Sequence, residues 1–201
     1  MKIAFLDRDG VINVNVGYLH SISEFKFTPG CIAALKRLCD LGYELVIITN
    51  QSGIARGYYS EAEYQELTDW MLAQLSAQQI PILEVLHCPH LPGGKVEKYA
   101  VHCDCRKPKP GMIERVVTRY PVDVAASLLV GDSITDIEAG DAMGIEQLFL
   151  VGEAQQTALD RASYNSVPRI TGERSDSKPA FFRMKDLAAV SHYLSQQTQI
   201  C

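Results

Sequence analysis

The chain lacks any block of five or more like charges, and its formal net charge is only -5 over 201 residues. Such a balance gives neither a basic nucleic-acid surface nor an acidic tail. Long hydrophobic runs are missing too. The longest are strand-sized, too short to cross a bilayer, and the N-terminus has none of the charged, apolar and cleavage-site segments of a secretory signal. A soluble cytoplasmic protein with no nucleic-acid or membrane partner is expected. No internal repeat and no low-complexity tract interrupts the chain. Asn50-Gln51-Ser52 matches a glycosylation sequon, which means little without a secretion signal. Disulfides are not expected in a cytoplasmic chain, so the six cysteines point to metal ligands or free thiols.

What is present is a 47% hydrophobic content, enough for one well-filled α/β core. We read residues 1–201 as a single domain and expect a monomer. The apolar run Ile3 to Leu6 begins almost at once and ends in Asp7-Arg8-Asp9-Gly10. A short, continuously apolar segment is a parallel strand covered on both faces, and ligands of open α/β sheets bind beyond the carboxyl ends of such strands. Two carboxylates held this close repel unless a cation lies between them or one is protonated, so a magnesium site is the economical reading. Residues 11–27 have no sustained helical period and place Asn13, Asn15, Gly17, Tyr18 and His20 close behind the aspartates.

The same pattern repeats along the chain. Thr28-Pro29 can start a helix with Ile32, Leu35, Leu38 and Cys39 on one face, and Gly42 stops it. Glu44 to Ile48 is a second strand, ending in Thr49-Asn50-Gln51-Ser52-Gly53, where a hydroxyl and backbone donors can bind phosphate oxygens. Ser60 and Glu63 form a capping box before a helix with Tyr64, Leu67, Met71 and Leu75 on its buried stripe. Trp70 and Met71 are therefore core residues. Ile82 to Leu86 reads as a third strand. Ser127 to Val130 is a fourth and ends in Gly131-Asp132-Ser133-Ile134-Thr135-Asp136; a helix follows to Gly144. Glu146 to Val151 is a fifth. Beyond it we expect a helix over 153–163, a short strand over 167–170, a polar mobile stretch over 172–179 and a last helix from Met184 to Leu194.

Between the third strand and the next helix, Cys88-Pro89-His90 and Cys103-Asp104-Cys105 flank a charged, Gly-containing loop with too little apolar content to hold itself. Two close ligand pairs of this kind have the logic of a Cys3His zinc site over 88–105. His87 or His102 could replace His90, and a loop of reduced cysteines is the alternative. Four protein ligands leave no open position, so the zinc is structural. Arg106-Lys107-Pro108-Lys109-Pro110 then fixes cations near the sheet, the prolines forbidding helix before them.

These units imply a Rossmann-like parallel sheet with helices on both faces. The polar residues converge at one edge: Asp7 and Asp9, Thr49, Lys107 and Asp132. Phosphoryl transfer requires such a set, comprising a nucleophile, a second carboxylate for proton transfer, a magnesium site, and a cation with a hydroxyl to hold phosphate oxygens.

The motifs Asp-Arg-Asp-Gly, Thr-Asn-Gln-Ser-Gly-Ile-Ala-Arg-Gly, the cysteine and histidine pairs running into Arg-Lys-Pro-Lys-Pro-Gly-Met, and Gly-Asp-Ser-Ile-Thr-Asp together resemble the haloacid dehalogenase (HAD) phosphatase superfamily. Within it the chain is similar to the zinc-containing branch of heptose bisphosphate and histidinol phosphate phosphatases. The resemblance covers residues 1–151 and leaves 152–201 as a longer C-terminal extension. It implies that Asp7 is a nucleophile forming an aspartyl phosphate, and that Asp9 protonates the leaving oxygen and then activates water. It further implies that Asp7, Asp9 and Asp132 hold magnesium, and that Thr49 and Lys107 bind the transferring phosphoryl group. Arg106, the loop Asn15, Val16, Gly17 and Tyr18, and Asn50, Gln51 and Ser52 would read the substrate. Ser133 stands where Lys or Arg is frequent, and Val11 where Thr is usual. Ser52 to Gly57, the long zinc loop and Pro110-Gly111-Met112 resemble the heptose enzymes, which implies removal of the 7-phosphate from D-glycero-D-manno-heptose 1,7-bisphosphate. A histidinol phosphatase, a phosphotransferase and a non-catalytic phosphosugar-binding protein are the alternatives. No large cap domain fits between the motifs.

Overall fold

The computed structural model describes residues 1–152 and 181–198. Six strands form one parallel sheet: β1 (Lys2–Leu6), β2 (Tyr43–Asn50), β3 (Glu84–Cys88), β4 (Leu128–Gly131), β5 (Gln147–Val151) and β6 (Phe182–Met184). Their order is β3-β2-β1-β4-β5-β6. The order reverses between β1 and β4, and the crevice at such a switch point is where ligands of doubly wound sheets bind.

Six helices complete the described architecture: α1 (Cys31–Asp40), α2 (Gly53–Arg56), α3 (Glu61–Ala77), α4 (Gly111–Arg119), α5 (Ile134–Ala142) and α6 (Leu187–Thr198). Successive strand residues point to opposite faces. Accordingly Ala4, Leu6, Leu45, Ile47, Leu128 and Val130 pack with α1, α3 and α6, whereas Ile3, Phe5, Val46, Ile48 and Leu129 pack with α4 and α5. Cys88 and Cys105 belong to the second cluster, so the cysteine loop is anchored in the core on that side.

Several boundaries differ from those read in the sequence. The third strand starts at Glu84 and runs to Cys88, because β2 is long enough to keep pairing through Asn50 opposite Cys88. The Thr28 hydroxyl donates to Val11 O at 2.7 Å instead of capping a helix, and α1 begins after Gly30, whose φ of 74° suits glycine. Met184 closes β6, so the last helix begins three residues later than expected. The expected elements over 153–163 and 167–170, and the stretch 172–179, lie outside the described residues. Trp70 packs edge-on against Phe25 at 5.3 Å in the core.

Segments 7–30 and 89–110, which interrupt the strand and helix alternation, hold no more than the 3-10 turns Ile22–Glu24 and Glu97–Tyr99 and isolated bridges of Asn13 with Asp9 and Phe27. Neither is a cap domain, and the switch-point crevice has no large cover among the described residues. No described helix is long and apolar enough to cross a membrane.

Candidate active site and metal cluster

Asp7 follows β1 directly, and its backbone N–H donates to Val130 O at 2.9 Å. This bond ties the first carboxylate to the end of β4, from which Asp132 follows. Gly10, at φ 85°, completes the turn, and a Cβ there would lie 2.2 Å from Asp132 Oδ2. Only glycine lets the loop and the second aspartate approach so closely.

Asp7, Asp132 and Asp136 bring carboxylate oxygens within 4.8 Å of one another. Lys107 reaches into the group: its Nζ lies 2.8 Å from Asp7 Oδ1, 2.5 Å from Asp136 Oδ1, and donates to Ile48 O at 2.8 Å. Burial disfavours the ammonium, but Asp7 and Asp136 outweigh it and hold Lys107 above the ordinary lysine range. Burial also pushes the Asp7 carboxyl up from 3.8 to about 7, against the lowering pull of Lys107. Asp132 is raised as well, by burial first, with the Asn15 hydrogen bond opposing. Three clustered carboxylates with one ammonium, which contacts two of them, are short of positive charge, and hard oxygen donors in this number suit a magnesium ion that keeps several waters.

Asp136 was not singled out in the sequence, where it closes the Gly131 to Asp136 motif. Its signal was the Ser-x-x-Asp spacing: Ser133 caps α5, and Asp136 Oδ2 accepts from Ser133 N at 3.0 Å. The capping box folds the side chain back toward the sheet edge, where its other oxygen meets Lys107. Ser133 thus serves the helix terminus.

The Asp9 carboxylate, expected with Asp7 and Asp132 among the magnesium ligands, is not part of this group. Arg8, itself buried, donates to both of its oxygens at 3.0 Å, Asn13 Nδ2 to Oδ1 at 2.9 Å and Gln51 Nε2 to Oδ2 at 3.0 Å. Gln51 also donates to Thr49 Oγ1 at 2.8 Å. Among the residues expected to read a substrate, Asn15 donates to Asp132 Oδ2 at 3.3 Å, and Asn15, Val16, Gly17 and Tyr18 are exposed. Tyr18 meets Tyr58 edge-on at 4.7 Å and lies 5.7 Å from the Arg56 guanidinium. Asn50 is turned to the Lys107 backbone, Gln51 is buried, and Ser52 sits at the start of α2. The Arg106 Nη1 donates to His90 O at 3.3 Å.

The side chains of Cys88, His90, Cys103 and Cys105 also converge. Cys88 Sγ lies 3.5 Å from Cys103 Sγ and 3.6 Å from His90 Nδ1; Cys105 Sγ lies 3.4 Å from each of Cys103 Sγ and His90 Nδ1. Ligands at the usual zinc bond lengths span tetrahedral edges of roughly 3.6–3.8 Å, so these edges fit a zinc ion. His87 is engaged by Glu61 at 2.7 Å and His102 is exposed outside the cluster, which leaves His90 as the histidine of the set.

Residues 104–170 match the profile of the HAD-hydrolase-like family. Over 158 residues the chain is 53% identical to the D-glycero-alpha-D-manno-heptose-1,7-bisphosphate 7-phosphatase of Photorhabdus laumondii, covering 79% of this chain and 86% of that protein. The chain belongs to the heptose 1,7-bisphosphate 7-phosphatase family. Another of its relatives, the D-glycero-beta-D-manno-heptose-1,7-bisphosphate 7-phosphatase of Haemophilus influenzae, is 45% identical over 150 residues, 75% of this chain and 81% of that protein. The fold of this heptose bisphosphatase family member superposes on the crystal structure of D,D-heptose 1,7-bisphosphate phosphatase from B. bronchiseptica with a TM-score of 0.74. The two are 32% identical, the match covers 98% of this chain and 99% of that one, and that structure is complexed with magnesium and phosphate.

Proposed function

We propose that this chain removes the 7-phosphate of a D-glycero-D-manno-heptose 1,7-bisphosphate by way of an aspartyl phosphate on Asp7, with magnesium as its catalytic cofactor. The observation that carries the reading is the group formed by buried Asp7, Asp136 and Lys107 with half-buried Asp132 at the switch point between β1 and β4. Asp7, Asp132 and Asp136 would hold the magnesium, which supplies charge neutralisation of the phosphoryl oxygens when bound. Lys107 and the Thr49 hydroxyl hold those oxygens during transfer.

In the first step Asp7 Oδ attacks phosphorus, the ester bond to the sugar O7 breaks, and Asp9 gives its proton to that leaving oxygen. In the second, Asp9 takes a proton from water, the water oxygen attacks the phosphorus of the aspartyl phosphate, and inorganic phosphate leaves while Asp7 is restored. The Asp9 carboxylate is oriented for this work by Arg8, Asn13 and Gln51, apart from the Asp7 and Asp136 carboxylates that contact Lys107. Zinc on Cys88, His90, Cys103 and Cys105 has a structural part, fixing the loop from which Arg106 and Lys107 emerge. Its substrate is then a small soluble phosphosugar, consistent with work in the cytoplasm.

A phosphotransferase would have to exclude water from the phosphoenzyme, and the crevice, which has no large cover among the described residues, argues against that. A binding module without catalysis would not need both Asp7 and Asp9 intact. The test is phosphate release from both anomers of the heptose bisphosphate and from histidinol phosphate, with magnesium and with a chelator. The bisphosphate should be preferred, the chelator should stop turnover, and Asp7→Asn should lower kcat by about a thousandfold or more. Preference for histidinol phosphate, or an active Asp7→Asn, would overturn the proposal.

A further inference from the structure

Gln51 was expected to touch substrate, yet it is 2% exposed and both ends of its amide are used inside the protein. Its Nε2 donates at once to Asp9 Oδ2 and to Thr49 Oγ1, at 3.0 and 2.8 Å. Its Oε1 accepts from the Tyr59 hydroxyl at 2.5 Å. A carboxylate only accepts hydrogen bonds, so the reversed amide would set one oxygen against another at Asp9. The Tyr59 phenol stabilises the correct orientation by donating to the opposite end.

Tyr59 is itself immobilised. It is buried, its ring stacks on His20 with centroids 5.1 Å apart and an interplanar angle of 8°, and a Cβ on Gly53 would lie 2.1 Å from its Cε1. Burial raises its phenol above the usual range, which leaves the hydroxyl a donor throughout the neutral range. The consequence at the other end of the amide is chemical. Thr49 Oγ1 accepts from Gln51 and makes no donor bond among the described residues, so its proton can go to a phosphoryl oxygen, and the Asp9 carboxylate is fixed in rotation.

We propose that Tyr59 is a positioning residue that acts through Gln51 to orient the proton-transfer carboxylate of Asp9 and the phosphoryl-binding hydroxyl of Thr49 together. The inference rests on the roles given to Asp9 and Thr49 under the proposed function. A preset orientation lowers the transition-state barrier without adding ground-state contact with the substrate. The loss should therefore fall on kcat and leave KM unchanged, equally for a bisphosphate and for a small aryl phosphate.

The experiment is a double-mutant cycle with Tyr59→Phe and Gln51→Ala, read as kcat and KM on both substrates with magnesium present, with Asp9→Asn and wild type in parallel. Tyr59→Phe keeps the ring and its stacking, and should lower kcat about tenfold with KM within about twofold. In the Gln51→Ala background the same change should alter kcat by less than about twofold, since the phenol then has nothing to orient. Equal losses in both backgrounds, or a Tyr59→Phe variant with wild-type kcat, would overturn the inference while an inactive Asp9→Asn kept the proposed function standing. A fully active Asp9→Asn would overturn the role of Asp9, and with it this inference. Melting of each variant separates the two causes: a kcat loss in Tyr59→Phe that disappears on cooling below the unfolding transition is a folding defect and also overturns it.

Discussion

Asn50 and Lys107 clasp one another through a reciprocal pair: Asn50 Nδ2 donates to Lys107 O, and Lys107 N donates to Asn50 Oδ1, each at 3.1 Å. The pair joins the end of β2 to the segment that follows the cysteine cluster. Lys107 thus has its backbone fixed by β2 and its ammonium fixed by Asp7, Asp136 and Ile48 O.

The first prediction follows from that clasp. Asn50→Ala removes two hydrogen bonds to the Lys107 backbone and should cost about 1–2 kcal/mol of stability. It should also lower kcat on every phosphate ester tested, because the lysine supports the transferring group and not the sugar. Denaturant unfolding together with kinetics on two unlike esters checks this. Selective loss on the bisphosphate alone would restore Asn50 to a substrate-reading role.

The second concerns pH. The Asp7 carboxyl is raised to about 7 from an ordinary 3.8, chiefly by burial, so in the metal-free fold its proton is retained well into the neutral range. The sign for stability is set by that direction: the contribution of Asp7 is fully present below 3.8 and is lost as pH rises through about 7. Magnesium must displace the proton below that value. Its affinity should therefore fall about tenfold per pH unit below roughly pH 7 and level off above it. Calorimetric titration of magnesium at several pH values tests this, with Asp7→Asn as the control that should bind weakly and without this dependence. A flat affinity from acid to neutral pH would contradict it.

Zinc supplies the third. Burial raises the Cys88 thiol above its ordinary range, so zinc uptake by the empty cluster should release protons as thiolates form. One zinc per chain is expected in the purified protein, and Cys103→Ser should lose zinc and melt earlier. Metal analysis and melting curves decide this; a variant with unchanged zinc content and melting temperature would remove the metal from the loop. Stripping the ion should loosen the loop before it weakens magnesium binding, since none of the three clustered carboxylates lies in that loop.

Most of the sheet was legible because each strand is a short apolar run ending in polar residues, and buried parallel strands read that way. β6 escaped because three residues do not establish a period, and α2 because four residues do not either. The convergence of Asp7 and Asp132 was legible from strand ends, that of Cys88, His90, Cys103 and Cys105 from pair spacing, and the approach of Lys107 from the proline-stiffened segment it sits in. That of Asp136 was not, since a residue one turn into a helix reaches the site only through its capping box. The inward turn of Gln51 was equally hidden: its partner Tyr59 comes from beyond α2, and nothing in local spacing says that the two meet.

The last prediction separates two neighbours that both follow Cys105. The Lys107 ammonium is buried against Asp7 and Asp136, so Lys107→Ala should depress turnover on every substrate, because transition-state charge always resides on the transferring phosphoryl. Arg106 is only half-buried, and among the described residues its guanidinium makes one hydrogen bond, from Nη1 to His90 O at 3.3 Å. The remaining donors of its planar fork are available to a phosphate or to sugar oxygens. Arg106→Ala should therefore harm the bisphosphate selectively, raising its KM by the equivalent of ~1.5–3 kcal/mol of charge-assisted binding while a small aryl phosphate is little changed. Zinc content must be measured on the same preparations, because the arginine also ties the His90 carbonyl and its loss could loosen the cluster. If both substrates suffer equally while zinc stays bound, Arg106 serves the chemistry or the fold, and selectivity for the sugar must lie in the exposed loop from Asn15 to Tyr18.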